Sequence, residues 1–106
     1  MDFKHYDCIV VGGGPAGIMA ALSVKIHHPD FSVAIFDRTT ECGRKLCVSG
    51  AGRGNLTNRN LQSDVLQKYH GNKELLRSVF LQYGFDDIVR FFEDLGIPLY
   101  EETKSE

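Results

Sequence analysis

An α/β fold is what this 106-residue chain predicts: an incomplete strand–helix–strand (βαβ) unit at the N-terminal side, followed by a helical segment. Three observations carry that reading. Asp7-Cys8-Ile9-Val10-Val11 is a short apolar run that stops at the glycine cluster Gly12-Gly13-Gly14. Ile18, Met19, Ala20, Ala21, Leu22 and Val24 then continue as a helix-forming stretch to His27 and His28, closed by Pro29. Phe31-Ser32-Val33-Ala34-Ile35-Phe36 is a second β-branched and aromatic run, and it ends in an acid, Asp37.

The first run reads as a buried strand, and the glycines that follow have separate steric jobs. Gly12 turns the chain sharply out of the strand. At Gly14 a Cβ would stand between backbone amides and a phosphate oxygen, and at Gly17 a side chain would push the helix off the sheet. Pro15 and Ala16 fall in the first helical turn, where a missing N–H costs nothing because the first four helix amides lack an internal partner. Those amides and the positive end of the helix dipole then face an anion. A bare Gly-x-Gly-x-x-Gly also occurs in ordinary turns, but between a strand and a helix it is the Rossmann-like dinucleotide fingerprint. Asp37, twenty positions after Gly17, stands where that fingerprint sets an acid on the adenosine ribose. Taken alone, Asp37 reads more readily as a solvated strand-end turn residue; its register with the glycines is what favours the ribose. Arg38 beside it would suit a 2′-phosphate.

Length and charge fit one small domain or part of a larger one. With 42% apolar residues the chain has material for a core, and a formal net charge of -2 gives no overall case for nucleic acid or an anionic membrane. Residues 38–60 nevertheless carry a net +4, from Arg38, Arg44, Lys45, Arg53 and Arg59 against Glu41. The glycine cluster and Pro15 break residues 1–22 into pieces too short for a signal-peptide core or a membrane span, so a cytoplasmic location without a membrane partner is expected. Cys42 and Cys47 lack C-x-x-C spacing, and His5, His27, His28 and His70 lack metal-ligand spacing; no metal and no Ser–His–acid set is expected.

Beyond Asp37 comes Gly43-Arg44-Lys45-Leu46-Cys47-Val48-Ser49-Gly50-Ala51-Gly52-Arg53-Gly54-Asn55-Leu56-Thr57-Asn58. Composition alone would make this a flexible surface loop. The sharper reading is a second anion-binding wall, in which glycines let backbone N–H groups converge and Lys45 or Arg53 adds charge-assisted hydrogen bonds. Together with the glycine fingerprint, this stretch resembles the N-terminal part of the BaiN-type (aminoacetone-oxidase-like) bacterial NAD(P)/FAD-dependent oxidoreductases. The fingerprint is shared by many flavoproteins, whereas the GRKL and SG.GR.N.TN pattern is more particular. The resemblance implies FAD, with Gly12, Gly14, Ala16 and Gly17 on the pyrophosphate and Asp37 on the ribose. Lys45, Ser49, Gly52, Arg53 and Asn55 would line the pyrophosphate, ribityl and flavin side, and NAD(P)H would be the electron donor. The chain departs from the family at Gly54, where the family usually has cysteine, and it lacks the Gly-Arg-Val-Phe-Pro stretch expected soon after Glu102.

Residues 1–60 therefore read as the N-terminal part of an FAD-binding Rossmann-like domain, and residues 61–106 as a helical extension leading into the next segment. A helical turn is expected around Asp64 to Tyr69. Leu75, Leu76, Val79, Phe80 and Tyr83 share one helical face, stopped by Gly84. Asp86 is the expected cap of another helix, in which Ile88, Val89, Phe92 and Leu95 share a face and Gly96 ends the run. Both stripes are expected in the core. Ile97-Pro98-Leu99-Tyr100 is an expected edge strand, and the polar tail from Glu101 to Glu106 is expected to fray.

Three functional readings follow. The first is the FAD-binding portion of an oxidoreductase in which NAD(P)H reduces flavin and flavin reduces an organic substrate. The second is a non-catalytic module for NAD(H) or an ADP-containing ligand. The third is an inactive truncated fragment, since a crossover unit alone leaves sheet edges and helix faces uncovered and needs a further C-terminal region or self-association. In all three the partner is a small-molecule dinucleotide and not a nucleic acid.

Overall fold

A computed structural model describes residues 3–102. The predicted crossover is present. Strands β1 (Cys8–Val11) and β2 (Val33–Phe36) pair in parallel, from Cys8 opposite Val33 to Val11 opposite Phe36, and helix α1 (Pro15–His27) connects them. Helix α1 starts from an extended Gly14 with Pro15 at its first position, and its last turn is closed by the His28 N–H on the Val24 carbonyl. Lys25 then ties the helix to the returning chain, donating to the carbonyls of Pro29 (2.6 Å) and Phe31 (2.7 Å). Both strands are shorter than the apolar runs. Ahead of β2, the N–H of Phe31 closes a turn on His28, and Ser32 is engaged by the Asp7 carboxylate through its N–H (2.7 Å) and hydroxyl (3.0 Å). Those two bonds hold the Asp7 carboxyl below the usual carboxylate range.

Helix α1 covers one face of the sheet, and Ile18, Ala21, Leu22, Val33 and Ile35 line a shared cleft there. Ala21 is buried there. On the opposite face Val11 is 86% exposed and Phe36 51%, with Tyr6 set edge-on against the Phe36 ring at 6.1 Å. The second glycine-rich stretch is partly helical and not simply a loop: α2 (Arg44–Val48) is followed by a tight turn over Ser49–Gly52.

Contacts divide the chain into two compact units, Met1–Asn55 and Leu56–Glu106. In the second, a π-helical turn (Leu61–Val65) runs into α3 (Leu66–Lys68), then α4 (Lys73–Gln82) and α5 (Phe85–Asp94). Asn72 caps α4 by accepting the Leu75 N–H at 3.0 Å. Several expectations are corrected here. Gly84 follows the C-cap Tyr83 of α4, where the stop is expected, and also begins α5; the carboxylate that meets its N–H is that of Asp87 (2.9 Å), not Asp86. Gly96 does end α5: at φ +79 it lets its own N–H reach Glu93 (2.9 Å) and the Ile97 N–H reach Phe92 (3.1 Å), a Schellman closure. Ile97–Tyr100 forms no strand, because no described strand lies beside it and Pro98 has no N–H to give.

The apolar stripes of α4 and α5 are not core in this chain. Neither helix holds a buried residue, and Leu75, Val79 and Leu95 are exposed; among the described residues of this unit the buried side chains are Leu61 and Leu66. Two ten-residue helices with a short turn lack the opposing layer that a core needs. At the start of the tail Glu101 accepts from Arg59 Nε (3.1 Å) and Nη2 (2.8 Å). The rest of it, residues 103–106, lies outside the described residues. Among the described residues no helix is long and apolar enough to cross a membrane.

Candidate nucleotide-binding site

The turn from β1 into α1 is built on three differently constrained glycines. Gly12 has φ +102, a value side chains rarely adopt, and its N–H continues the ladder onto the Phe36 carbonyl at 2.7 Å. A Cβ on Gly17 would collide with the Gly12 carbonyl oxygen and press on Val10, so only glycine lets the helix sit this close to the strand. Gly14 differs: a Cβ there would meet nothing within 4 Å, and the space above it is open. The first N–H of α1 with an internal acceptor is that of Ile18, on Gly14 (2.9 Å). Ala16 and Gly17 precede it, so their N–H groups point out of the helix end beside Gly14, and Pro15 has none to offer. No acidic side chain in the first turn competes for them. An amide-bearing helix N-terminus with open space in front of it suits a phosphate.

Asp37 lies at the end of β2 and is fastened to this loop. Its Oδ2 accepts the N–H of Gly13 at 2.7 Å, while Oδ1 accepts from the Thr39 N–H (2.8 Å) and hydroxyl (2.6 Å). The Thr39 hydroxyl, the Thr39 amide and the Gly13 amide together bring the Asp37 carboxyl down to about 2, so it is a carboxylate at any ordinary pH. Gly13 is gripped on both sides, for its carbonyl accepts the N–H of Gly43 at 2.6 Å. The second glycine-rich stretch is thereby joined to the first. The Cys42 thiol lies over Gly13, where an added Cβ would come within 2.6 Å of its sulfur.

The other candidates spread along the second stretch. Arg38 is exposed just beyond Asp37, and Lys45 is exposed on α2. Ser49 caps α2 and donates its hydroxyl to the Leu46 carbonyl at 2.7 Å. The backbone of Gly50, Ala51 and Gly52 runs left-handed (φ 57, 54 and 81), closed by the Arg53 N–H on Gly50 (3.0 Å), with Asn55 packed against Gly50. Ala51 is the one non-glycine residue with positive φ among the described residues. Gly13, Thr39, Cys42 and Gly43 were not singled out by the sequence reading. The signals for Gly13 and Thr39 were the additional glycine inside the fingerprint and a threonine two places after an aspartate, the spacing of an Asx turn; the approach of Cys42 and Gly43 to Gly13 left no local signal.

Residues 6–106 match the family model described as HI0933-like protein Rossmann domain. The chain is similar to a 3-dehydro-bile acid delta(4,6)-reductase of Clostridium scindens, 35% identical over 89 residues, which covers 83% of this chain and 21% of that protein. It is also similar to two ribosomal RNA dihydrouridine synthases. That of Haemophilus influenzae is 29% identical over 93% of this chain and 24% of the relative. That of Escherichia coli is 31% identical over 94% of this chain and 24% of the relative. The chain thus spans about a fifth to a quarter of the length of these relatives.

Proposed function

The chain belongs to the HI0933-like protein Rossmann domain family, and on that premise we propose that it is the FAD-binding N-terminal portion of a flavin-dependent oxidoreductase of the BaiN type. One observation carries the reading: the open space at Gly14 lies over the amide end of a helix that Gly17 alone allows to sit against the strand. In this proposal Gly12, Gly14, Pro15, Ala16 and Gly17 hold the pyrophosphate, Asp37 accepts from the adenosine ribose, and Arg38 stands beside the ribose edge. Lys45, Ser49, Gly52, Arg53 and Asn55 serve the side toward the flavin. Bound FAD would supply the redox-active ring, with NAD(P)H as the source of electrons and an organic molecule as their destination. Reduction is the proposed reaction class, in keeping with a relative named as a reductase. Residues 1–60 form the cofactor portion and residues 61–106 the helical extension.

For this segment we propose a dinucleotide partner, a cytoplasmic location and no nucleic acid, although two relatives are named for ribosomal RNA. A ribosomal RNA fragment retarded by the chain, and released by charge reversal at Arg44 and Lys45, would overturn the last point. The direct experiment is a side-by-side titration with FAD and NADH, followed by flavin and nicotinamide fluorescence. Preference for FAD supports the proposal. Preference for NADH would make this a nicotinamide module, and binding of neither would favour the third reading, a segment that needs the rest of its fold.

A further inference from the structure

The Asp37 carboxylate is already largely engaged by its own chain. An ionised carboxylate offers about four lone-pair sites, two on each oxygen. Both sites of Oδ1 are taken by Thr39, through its N–H at 2.8 Å and its hydroxyl at 2.6 Å, and one site of Oδ2 is taken by Gly13 at 2.7 Å. The Thr39 hydroxyl has one proton and two acceptors in reach, Asp37 Oδ1 and the Glu41 carbonyl at 2.9 Å. It donates to the nearer, charged oxygen.

We infer that Thr39 is a positioning residue for the nucleotide: it locks the Asp37 carboxylate so that a single acceptor site, on Oδ2 beside the glycine loop, is left for one ribose hydroxyl. The inference rests on the reading that an adenosine ribose reaches Asp37. A carboxylate free of Thr39 would take the two vicinal ribose hydroxyls, one on each oxygen; here the second finds Oδ1 filled. The other groups beside the carboxylate are Arg38, which favours its ionised form, the Cys42 thiol over Gly13, and the amide end of α1, which has no acid in its first turn. None of them replaces the Thr39 hydroxyl.

The test is an NMR titration of the full chain with ADP, 2′-deoxy-ADP and 3′-deoxy-ADP up to millimolar concentration, following the Gly13 amide. In the wild type one deoxy analogue should bind about tenfold more weakly than ADP and the other within about twofold. In Thr39→Val, Oδ1 regains a site and both analogues should bind more weakly than ADP, while Thr39→Ser keeps the wild-type pattern. The acid limb of ADP binding should move to higher pH in Thr39→Val and stay in place in Thr39→Ser, a change that a purely structural role would not produce. Equal weakening of both analogues in the wild type, or an unchanged pattern and acid limb in Thr39→Val, overturns the inference and leaves the nucleotide reading standing. Failure of ADP to bind any of the three chains overturns both.

Discussion

Gly14 and Gly17 are three residues apart, yet substitution at the two should fail in opposite ways. At Gly17 the added atom of Gly17→Ala meets a backbone carbonyl, that of Gly12, whose own N–H is fixed on Phe36 at 2.7 Å. The turn cannot give way cheaply. Overpacking costs about 1–3 kcal/mol, and the upper end applies because the obstructing atom is backbone. Alanine returns about 1 kcal/mol of helix propensity relative to glycine. The net is a loss of about 2 kcal/mol, which in a chain of this size lowers the melting temperature by roughly 8–16 °C. Gly14→Val enters open space at φ -77 and ψ -178, a conformation open to any residue, so it costs about 1 kcal/mol or less as a poorer N-cap. Its side chain does occupy the proposed pyrophosphate path, and FAD affinity should fall at least about tenfold, or about 1.4 kcal/mol. Circular-dichroism melts and flavin-fluorescence titrations measure the two quantities separately. A Gly17→Ala chain that melts at or above the wild type would mean that α1 does not sit on β1 as described. A folded Gly14→Val chain that binds FAD undiminished would put the pyrophosphate elsewhere.

Acid should loosen the glycine loop: with its carboxyl lowered from 3.8 to about 2, Asp37 adds stability above pH 3.8 that is lost as pH falls toward 2. Urea midpoints between pH 5 and pH 2 should show a shallower decline for Asp37→Asn than for the wild type, and an identical decline would refute this role. Ala51→Gly relieves a left-handed alanine, a gain of about 1–2 kcal/mol set against about 0.5–1 kcal/mol of added chain entropy, so the urea midpoint should rise or hold. A clear fall would show that Ala51 is not left-handed. Asp87→Ala should cost α5 about 1 kcal/mol through loss of the carboxylate on the Gly84 N–H, whereas Asp86→Ala should cost less; the reverse order in helicity measurements would restore Asp86 as the cap.

What could be read from the sequence follows the range over which each signal acts. The β1–α1–β2 crossover was legible because each of its parts is local: an apolar run, a glycine turn, a helix ended by Pro29, and a second run. The Gly17 constraint was legible for the same reason, since helix and strand are separated by a single turn. Asp37 was found by its distance from Gly17, but its hold on Gly13 was not, because which amide a carboxylate selects depends on how β1 and β2 pair in space. The Gly43 bond to Gly13 spans thirty residues and leaves no periodic trace. Helix α2 was missed because glycines flank it closely and composition made the whole stretch look like a loop. At α5 the error was the helix start: Gly84, two residues before Asp86, is the N-cap, so it is Asp87 at the third helical position whose carboxylate reaches back to the Gly84 N–H.

The exposed stripes need a different explanation, because their periodicity was read correctly and their burial was not. Amphipathic spacing states that a face needs a cover; it does not state that the cover is close in sequence. The same holds for the sheet face carrying Ile9, Val11 and Phe36, opposite α1. Parallel strands ordinarily have both faces covered, and fully burying a side chain such as Val11 is worth about 1.5–3 kcal/mol, so this face is a substantial store of unrealised stability. The glycine loop does not draw on it. Its geometry is set by the Gly12 ladder bond, the Gly17 contact and the grip of Asp37 and Gly43 on Gly13, none of which uses a side chain of that open face. Covering the open face would therefore raise the stability of the crossover while leaving the shape of the nucleotide cradle much as it is, and affinity for the adenine half of a dinucleotide should depend on the loop more than on the rest of the fold.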